Sequence, residues 1–307
     1  IGTCTFLEEV SLPHNTLTGA IPVSICGVGA YLKRLVLSHN MLTGVIPPLS
    51  MCTEIEILDL RDNHLSGPIP TAIGDHASHL TELLLQSNTL TGAVPAFSTC
   101  RELYHIDLSA NYLTRVPGDT FAHVDSDHDA FTLELGFQYA SETLHLESNA
   151  FRGIMDVSGV SLRGSLVEVI PTHLCGDNAT TSWTRGTLDL IALGVRQIDD
   201  EAFASSNPTR VDLSGNFVQV LTPRAFDLML LVPSESFLRF SEASPVSCRL
   251  NDQGDDVVCT CRDLERYDVN RSSCRSSCEP GYMWQDDVDI HRDGFDASLR
   301  MGTCVSA

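Results

Sequence analysis

The chain has 307 residues and a mass of 33.5 kDa, and its 19 basic against 40 acidic residues give a formal net charge of −21. Nucleic acids and anionic membrane surfaces attract clustered cations, so this charge argues against both as partners. Hydrophobic residues make up 43% of the chain, which excludes a disordered acidic tail and allows a buried core. No apolar run approaches the roughly 20 residues that a membrane-spanning helix needs.

Near-identical segments recur along the first part of the chain. Five copies of the pattern Leu-x-Leu-x-x-Asn-x-Leu-x-Gly-x-Ile-Pro follow one another, with Arg115 in place of Gly in the fifth, and their asparagines are Asn15, Asn40, Asn63, Asn88 and Asn111. The alternation in Leu-x-Leu predicts a short strand with one buried face. Because one copy cannot cover its own apolar side chains, the copies must stack.

Stacking predicts a role for each recurring residue. The strands would lie about 4.8 Å apart in a parallel sheet. Each Asn, pointing inward at the turn, would pair with backbone groups that stacking otherwise leaves unpaired. The repeated glycines permit turn conformations that a Cβ resists, and the prolines after them are expected to stop regular pairing on the outer side.

These copies resemble leucine-rich repeats, and their Leu-x-Gly-x-Ile-Pro ending is similar to that of the plant-type subclass, found in ectodomains of plant cell-surface receptors and in secreted polygalacturonase inhibitors. The resemblance implies an α/β-type solenoid, a leucine-rich repeat horseshoe or superhelix with a parallel sheet on its concave face. We assign it to residues 1–230, with about eight repeats. The last three contain Leu144–Asn149, Leu188–Leu193 and Val211–Asn216, and inserted loops are expected near 125–139 and 156–183.

Members of this family usually open with a Cys-bearing cap over the first repeat. Cys4 instead occupies the register that Cys52 and Cys100 keep in later copies, so it is an ordinary repeat position. We therefore expect either further repeats before Ile1 or a partner that covers this end. Alternate copies lie about 10 Å apart, beyond disulfide reach, so these three cysteines are predicted to be buried thiols.

The last sixty residues are crowded with cysteines. A short polar segment cannot hold itself together by core burial, which favours a disulfide-rich module at 248–307 after a linker or cap at 231–247. Its Cys-x-Cys and Cys-x-x-Gly-Tyr elements resemble epidermal-growth-factor-like or related receptor modules, and a C-terminal cap for the solenoid is the alternative. The predicted disulfide cysteines are Cys248, Cys259, Cys261, Cys274, Cys278 and Cys304.

Several features indicate an extracellular protein, secreted or at the cell surface. Disulfides persist in oxidising compartments. Asn178 and Asn270 each begin an Asn-x-Ser/Thr glycosylation acceptor. Cys26 and Cys175 have no assignment from the sequence, and a bridge involving one of them is open.

No motif for catalysis or a cofactor is present. The chain lacks a nucleophile elbow, a His-Glu-x-x-His zinc motif, a phosphate loop and a dinucleotide fingerprint, so we expect no enzyme activity. Asp125, Asp127 and Asp129 begin like a calcium loop, but Ala130 replaces the required Gly and Gly136 the bidentate Glu, which favours a solvated acidic loop. A second acidic cluster, for which weak calcium binding is the alternative, contains Asp286, Asp287, Asp289 and Asp293.

The concave sheet is the predicted functional surface, because its outward positions form rows across the copies. We expect it to bind a protein, peptide or glycan, using Val36, Ser38, Asp59, Arg61, Leu84, Gln86, Tyr104, His105, Asp107 and His145. The alternative is a structural subunit of an extracellular matrix, wall or fibre, in which copies join through the solenoid ends and the Cys-rich tail. A monodisperse monomer in light scattering would count against that alternative.

Overall fold

The computed structural model describes residues 6–26, 31–124, 131–139, 143–176, 186–204, 210–221 and 225, and beyond them the backbone of seven short strands between 237 and 306. The chain divides into two compact units, Ile1–Leu166 and Val167–Ala307. Among the described residues, no helix is long and apolar enough to cross a bilayer.

Thirteen strands and almost no helix make up the described part of the first unit. One short α-helix, α1, spans Ala72–His76, and a single 3₁₀ turn spans Val157–Gly159. The strands are β1 (Glu9–Ser11), β2 (Thr18–Gly19), β3 (Arg34–Val36), β4 (Met41–Val45), β5 (Ile57–Asp59), β6 (His64–Pro68), β7 (Glu82–Leu84), β8 (Thr89–Ala93), β9 (His105–Asp107), β10 (Tyr112–Val116), β11 (Thr132–Glu134), β12 (His145–Leu146) and β13 (Val160–Ser161).

Seven of these strands form one parallel sheet, called here the long sheet, in the order β1-β3-β5-β7-β9-β11-β13. In this sheet, the middle residue of β1, β3, β5, β7, β9 and β11 is a buried aliphatic side chain, as the Leu-x-Leu alternation predicts, and so is the first residue of β13. Strand register aligns these side chains into one column of Val10, Leu35, Leu58, Leu83, Ile106, Leu133 and Val160. The parallel-sheet solenoid predicted from the repeats is therefore confirmed.

The Leu-x-Gly-x-Ile-Pro segments form a second parallel sheet, the outer sheet, in the order β12-β10-β8-β6-β4-β2. Pairing on this side is more regular than the sequence predicts, because the repeat prolines follow the strands instead of interrupting them. Pro47, for example, comes two residues after β4 ends. Gly67 has φ +78 within β6, and a Cβ there would lie 3.0 Å from Val45 Cγ1, so this position needs glycine.

Inward-pointing asparagines join consecutive turns of the first unit. Asn88 Nδ2 donates to the carbonyl of Leu60 in the preceding turn at 3.0 Å and to that of Leu85 in its own turn at 3.1 Å. Its Oδ1 accepts the backbone N–H of Leu65 at 2.9 Å. The same pattern recurs at Asn40, Asn63 and Asn111, and each of these side chains is buried. The predicted inner row of asparagines is confirmed.

Two further turns continue this row without asparagine. The sequence predicts an inserted loop at 125–139 and a sixth repeat at Leu144–Asn149, but β11 pairs with β9, and β13 pairs with β11. Gln138 Nε2 donates to the Leu108 carbonyl at 2.9 Å, and Ser165 Oγ donates to the Leu135 carbonyl at 2.9 Å. Gln138 and Ser165 therefore occupy the asparagine position of the sixth and seventh turns, because both can donate to the carbonyl of the preceding turn as asparagine does.

The segment predicted as the sixth repeat lies in the other sheet. His145 pairs with Arg115 and Leu146 with Val116, which places β12 in the outer sheet. Asn149 itself has the left-handed φ of 64. In the inner row, by contrast, the left-handed residue is the one directly before each asparagine position. The assignment of His145 to the concave rows was wrong, because Leu-x-Leu followed by Asn also fits a stretch of outer strand.

A disulfide joins Cys26 to Cys52, which are 26 residues apart. The sequence left a bridge at Cys26 open but predicted a buried thiol at Cys52, and the second expectation was wrong. The distance between alternate copies does not limit Cys52, because Cys26 reaches it from the segment that follows the first outer strand. Cys100 is a buried free thiol, as predicted, and Cys175 is also buried. Cys4 lies outside the described residues.

The second unit contains the remaining strands: β14 (Val169–Ile170), β15 (Thr187–Asp189), β16 (Gln197–Ile198), β17 (Arg210–Leu213), β18 (Val220–Leu221), β19 (Phe237–Phe240), β20 (Val246–Leu250), β21 (Val257–Cys261), β22 (Arg266–Asp268), β23 (Ser273–Arg275), β24 (Tyr282–Asp286) and β25 (Met301–Ser306). Strands β15, β17 and β19 form a parallel sheet, and the parallel strands β14, β16 and β18 begin a second one. Asn216 repeats the inner contacts, since its Nδ2 donates to the Leu190 carbonyl and its Oδ1 accepts from Val195 N.

Antiparallel strands make up most of the last part of the second unit. Strand β20 pairs with β21, and β24 pairs with β25. The side chains of the six tail cysteines predicted to form disulfides lie outside the described residues, as do both predicted glycosylation sites, Asn178 and Asn270. The disulfide-rich module and the glycans stay predictions.

Candidate functional site

The exposed side of the long sheet, called here the strand face, carries rows of side chains that run across the turns. One row follows the buried middle column and contains Ser11, Val36, Asp59, Leu84, Asp107, Glu134 and Ser161. The row before that column contains Glu9, Arg34, Ile57, Glu82, His105 and Thr132. Strand register thus aligns four predicted binding residues in the first row and His105 in the second, with Glu134 at the place predicted for His145.

Burial divides the predicted binding residues into two groups. Ser38, Asp59 and Leu84 are 1%, 5% and 6% exposed, so they offer a ligand little accessible surface. Neighbouring strands in a sheet are only about 4.8 Å apart, so adjacent side chains cover a residue of this size. The partly exposed group contains Val36, Arg61, Gln86, Tyr104, His105 and Asp107. Ligand binding by these residues stays a prediction.

Charges on the first two turns of the strand face neutralise each other. Glu8 contacts Lys33, and Glu9 contacts Arg34, in each case with the charged atoms 3.6 Å apart. All four side chains are well exposed, so water screens these pairs and each contributes little to stability. The pairs do leave this part of the strand face without net charge.

Turns three to six of the strand face are acidic. They carry five carboxylates against one guanidinium and one imidazole, namely Glu56, Asp59, Glu82, Asp107 and Glu134 against Arg61 and His105. Asp59 contacts Arg61 at 3.5 Å, and Glu82 contacts His105 at 4.0 Å. Among the described residues, no basic side chain pairs with Glu56, Asp107 or Glu134. A surface of this charge attracts a basic partner.

Tyr104 lies at the centre of this acidic stretch. Its hydroxyl donates to Glu82 Oε1 at 3.3 Å, and repulsion between the Glu82 carboxylate and a phenolate, more than burial, raises the pKa of Tyr104. The phenol is therefore a stable hydrogen-bond donor at neutral pH. Asp107 is held differently, because its Oδ1 accepts from the Ser109 backbone N–H at 3.0 Å and from the Ser109 hydroxyl at 2.6 Å.

The sequence analysis missed three exposed aromatic side chains on two consecutive turns, here called the aromatic platform: Tyr112, Phe137 and Tyr139. The rings of Tyr112 and Tyr139 lie with their centroids 5.8 Å apart and their planes 54° apart. Phe137 is 50% exposed and Tyr139 is 59% exposed. These residues directly precede or follow an inner-row position, so recognising Gln138 as a member of that row would have revealed the cluster.

Within the part of the chain that the structure describes, no group of three or more His, Cys, Asp or Glu side chains is arranged to hold a metal ion. Asp125, Asp127 and Asp129 lie outside the described residues, as do the side chains of the acidic cluster at 286–293. Calcium binding at either place therefore stays untested. The chemistry of the described strand face is that of hydrogen bonding, charge and aromatic contact.

Comparison with known proteins agrees with the fold. A family model described as Leucine Rich Repeat matches residues 31–51 and 54–76, which cover two of the turns. A search of curated proteins finds no significant match. Similar solved structures are numerous, with 102 chains matching significantly, and three of them illustrate the likeness.

The BIR2 ectodomain from Arabidopsis thaliana is 28% identical, with 50% of this chain and 71% of that chain covered and a TM-score of 0.36. The BIR3–SERK2 complex from Arabidopsis thaliana is 30% identical, with 43% and 70% covered and a TM-score of 0.34. The plant peptide hormone receptor RGFR1 in complex with RGF2 is 22% identical, with 78% of this chain but only 40% of the receptor covered and a TM-score of 0.47.

Proposed function

This chain carries leucine-rich repeats, and we propose that it is an extracellular, non-catalytic recognition module that binds a protein or peptide along its strand face. The observation that carries the proposal is the strand face itself. Successive turns present basic, acidic and aromatic side chains within or directly beside the seven parallel strands, and these include Arg34, Arg61, Tyr104 and Asp107, all at least partly exposed. Such rows can read an extended ligand one turn at a time.

Rigidity of the scaffold supports this role. Five strands, β3, β5, β7, β9 and β11, are each anchored on one side by a fully buried core residue and followed by an inner-row amide that joins consecutive turns. A surface that is already ordered loses little conformational entropy when a ligand binds, so more of the contact energy becomes affinity. Recognition by a preformed sheet also requires no covalent chemistry.

An extracellular location is supported by the disulfide between Cys26 and Cys52, because such bonds persist in oxidising compartments. A protein or peptide is the proposed occupant because the strand face combines hydrogen-bonding, charged and aromatic groups, the mixture found in protein interfaces. Among the similar structures, RGFR1 is named a peptide hormone receptor and is in complex with RGF2.

A glycan placed on the strand face tests the proposal. Asp107→Asn creates a glycosylation acceptor with Leu108 and Ser109, in the middle of the strand face. Thr89→Asn creates one with Leu90 and Thr91 on the outer sheet, which makes it a matched control. Both variants are secreted from a glycosylating host, and glycan addition is verified by mass.

The probes are peptides selected from a random display library on the unsubstituted chain. We expect the Asp107→Asn glycan to weaken their binding at least tenfold, because it blocks the strand face, and the Thr89→Asn glycan to change it less than twofold. Equal binding to both glycosylated variants, or a loss caused only by the outer glycan, would show that the strand face is not the binding surface.

A further inference from the structure

The aromatic platform has a feature that stability does not explain. Phe137 has φ 54, in the left-handed region that a bulky side chain rarely adopts. The turn demands this conformation, since the residue before each inner-row position shares it, but the other turns of the first unit place small or polar residues there. These are His14, His39, Asp62, Ser87, Ala110 and Gly164.

Burial does not compensate for the strained backbone of Phe137, because half of its surface remains exposed. Backbone strain that packing does not offset is a recognised mark of functional positions. The neighbouring turn also makes room for the ring. A Cβ added to Gly164 would lie 2.5 Å from Phe137 Cδ1, so the ring rests directly over a glycine.

The two turns that carry this platform also carry acidic groups. Glu134 precedes Phe137 by three residues, and Asp107 lies opposite Glu134 on the adjacent strand. Neither carboxylate pairs with a basic side chain among the described residues. Aromatic faces attract cations through their quadrupole, and carboxylates do so by charge and hydrogen bonds. Together they match a guanidinium or ammonium group.

We propose that the aromatic platform, together with the carboxylates of Asp107 and Glu134 in the same two turns, binds arginine or lysine side chains of a basic segment in the protein partner. The inference rests on the proposed function and specifies the chemistry of the partner. The charge of −21 would steer such a segment toward the chain. The carboxylates and rings would then select it locally.

The probe is a fluorescein-labelled peptide of alternating arginine and glycine, compared with the same peptide carrying citrulline, which has nearly the shape of arginine but no charge. Binding is measured by fluorescence anisotropy at near-physiological salt. We expect the arginine peptide to bind and the citrulline peptide to bind at least tenfold more weakly. Equal binding of the two peptides would overturn the proposal.

Variants of the platform separate cation recognition from simple apolar contact. The double variant Phe137→Leu/Tyr139→Leu keeps apolar surface but removes two ring quadrupoles, so the arginine peptide should bind about tenfold more weakly. Unchanged affinity of this variant would refute the role of the rings. Phe137→Gly provides a second test, because glycine suits φ 54 and should preserve the thermal midpoint while still weakening binding.

A matched charge control separates local binding from attraction to the whole acidic chain. Glu134→Gln should weaken binding about threefold, whereas Glu102→Gln, which removes the same charge at an exposed position outside the strand-face rows, should change it less than twofold. Equal losses would mean non-specific attraction and would overturn the proposal.

The two proposals fail separately. If the Asp107→Asn glycan blocks the selected peptides but the platform variants bind the arginine peptide normally, the recognition function stands and the cation site is rejected. If the platform variants lose the arginine peptide while the glycan leaves the selected peptides bound, the strand-face function is rejected.

Discussion

Replacing Asn88 by alanine probes the inner row directly. The Asn88 side chain makes four hydrogen bonds to backbone groups, at 2.9 to 3.3 Å, two within its own turn and two to the preceding turn. The carbonyls of Leu60 and Leu85 would each keep a second amide partner, from Asn63 and Asn111. The backbone N–H of Leu65, in contrast, would lose the side-chain acceptor that it has now, Asn88 Oδ1.

The expected loss of unfolding free energy follows from these contacts. A buried N–H without a partner costs about 1–3 kcal/mol, and each of the other lost hydrogen bonds contributes about 0.5–1.5 kcal/mol. Partial compensation at the shared carbonyls leaves an expected destabilisation of about 3 kcal/mol. Asn15→Ala is the matched control, because Asn15 is exposed and, among the residues that the structure describes, bonds only to the carbonyls of Leu12 and Pro13 in its own turn. Its loss should stay below about 1 kcal/mol.

Urea unfolding of the whole chain, followed by far-ultraviolet circular dichroism, measures both variants against the unsubstituted protein. Asn88→Ser is informative as an intermediate, because Ser165 makes two of the inner-row hydrogen bonds in the seventh turn. If Asn88→Ala destabilises the chain no more than Asn15→Ala does, the inner row contributes nothing beyond local turn structure, and the asparagines do not stabilise the stacking of turns.

Three further predictions concern the first unit. Replacing Cys52 by serine opens the bridge to Cys26, a loop of 26 residues, and should lower stability by about 3 kcal/mol, measured as the thermal midpoint after thiol mapping by mass spectrometry. Burial raises the pKa of the Cys100 thiol from 9.0 to about 11, so the unfolded chain loses this proton first, and stability should fall by about 2 kcal/mol between pH 9 and 11, a fall that Cys100→Ala should lack. Gly74→Ala should destabilise by at least about 2 kcal/mol in urea, because the new Cβ would lie 1.8 Å from the Ala96 carbonyl oxygen, and an unchanged midpoint would contradict that close approach.

The first five turns could be predicted because the same residue types recur in them at nearly constant spacing. Leucines repeat at the buried strand position, and asparagine is the residue that offers two donors and an acceptor at short reach. The positions of Asn40, Asn63, Asn88 and Asn111 in one buried row therefore followed from spacing alone. The parallel sheet then followed from the need to cover each apolar face with a neighbour.

The sixth and seventh turns were misplaced because hydrogen-bonding capacity, and not residue identity, defines the inner row. Gln138 satisfies the same backbone groups as asparagine, and Ser165 satisfies the equivalent carbonyl of the preceding turn; both follow longer turns than the earlier copies have. The segment Leu144-x-Leu146 with Asn149 matches the repeat pattern in residue type, but it lies in the outer sheet. Residue type alone therefore identified β12, an outer strand, in place of β11 and β13.

Sequence alone determined the local alternation, the period and the acidic character of this protein, since these depend on composition and neighbours along the chain. Only the tertiary structure decided which distant residues meet. It paired Cys26 with Cys52, brought Tyr112 beside Tyr139, and covered Leu84 within a face that the alternation had left exposed. Contacts between turns depend on the length and path of every intervening segment, which the repeat pattern does not encode.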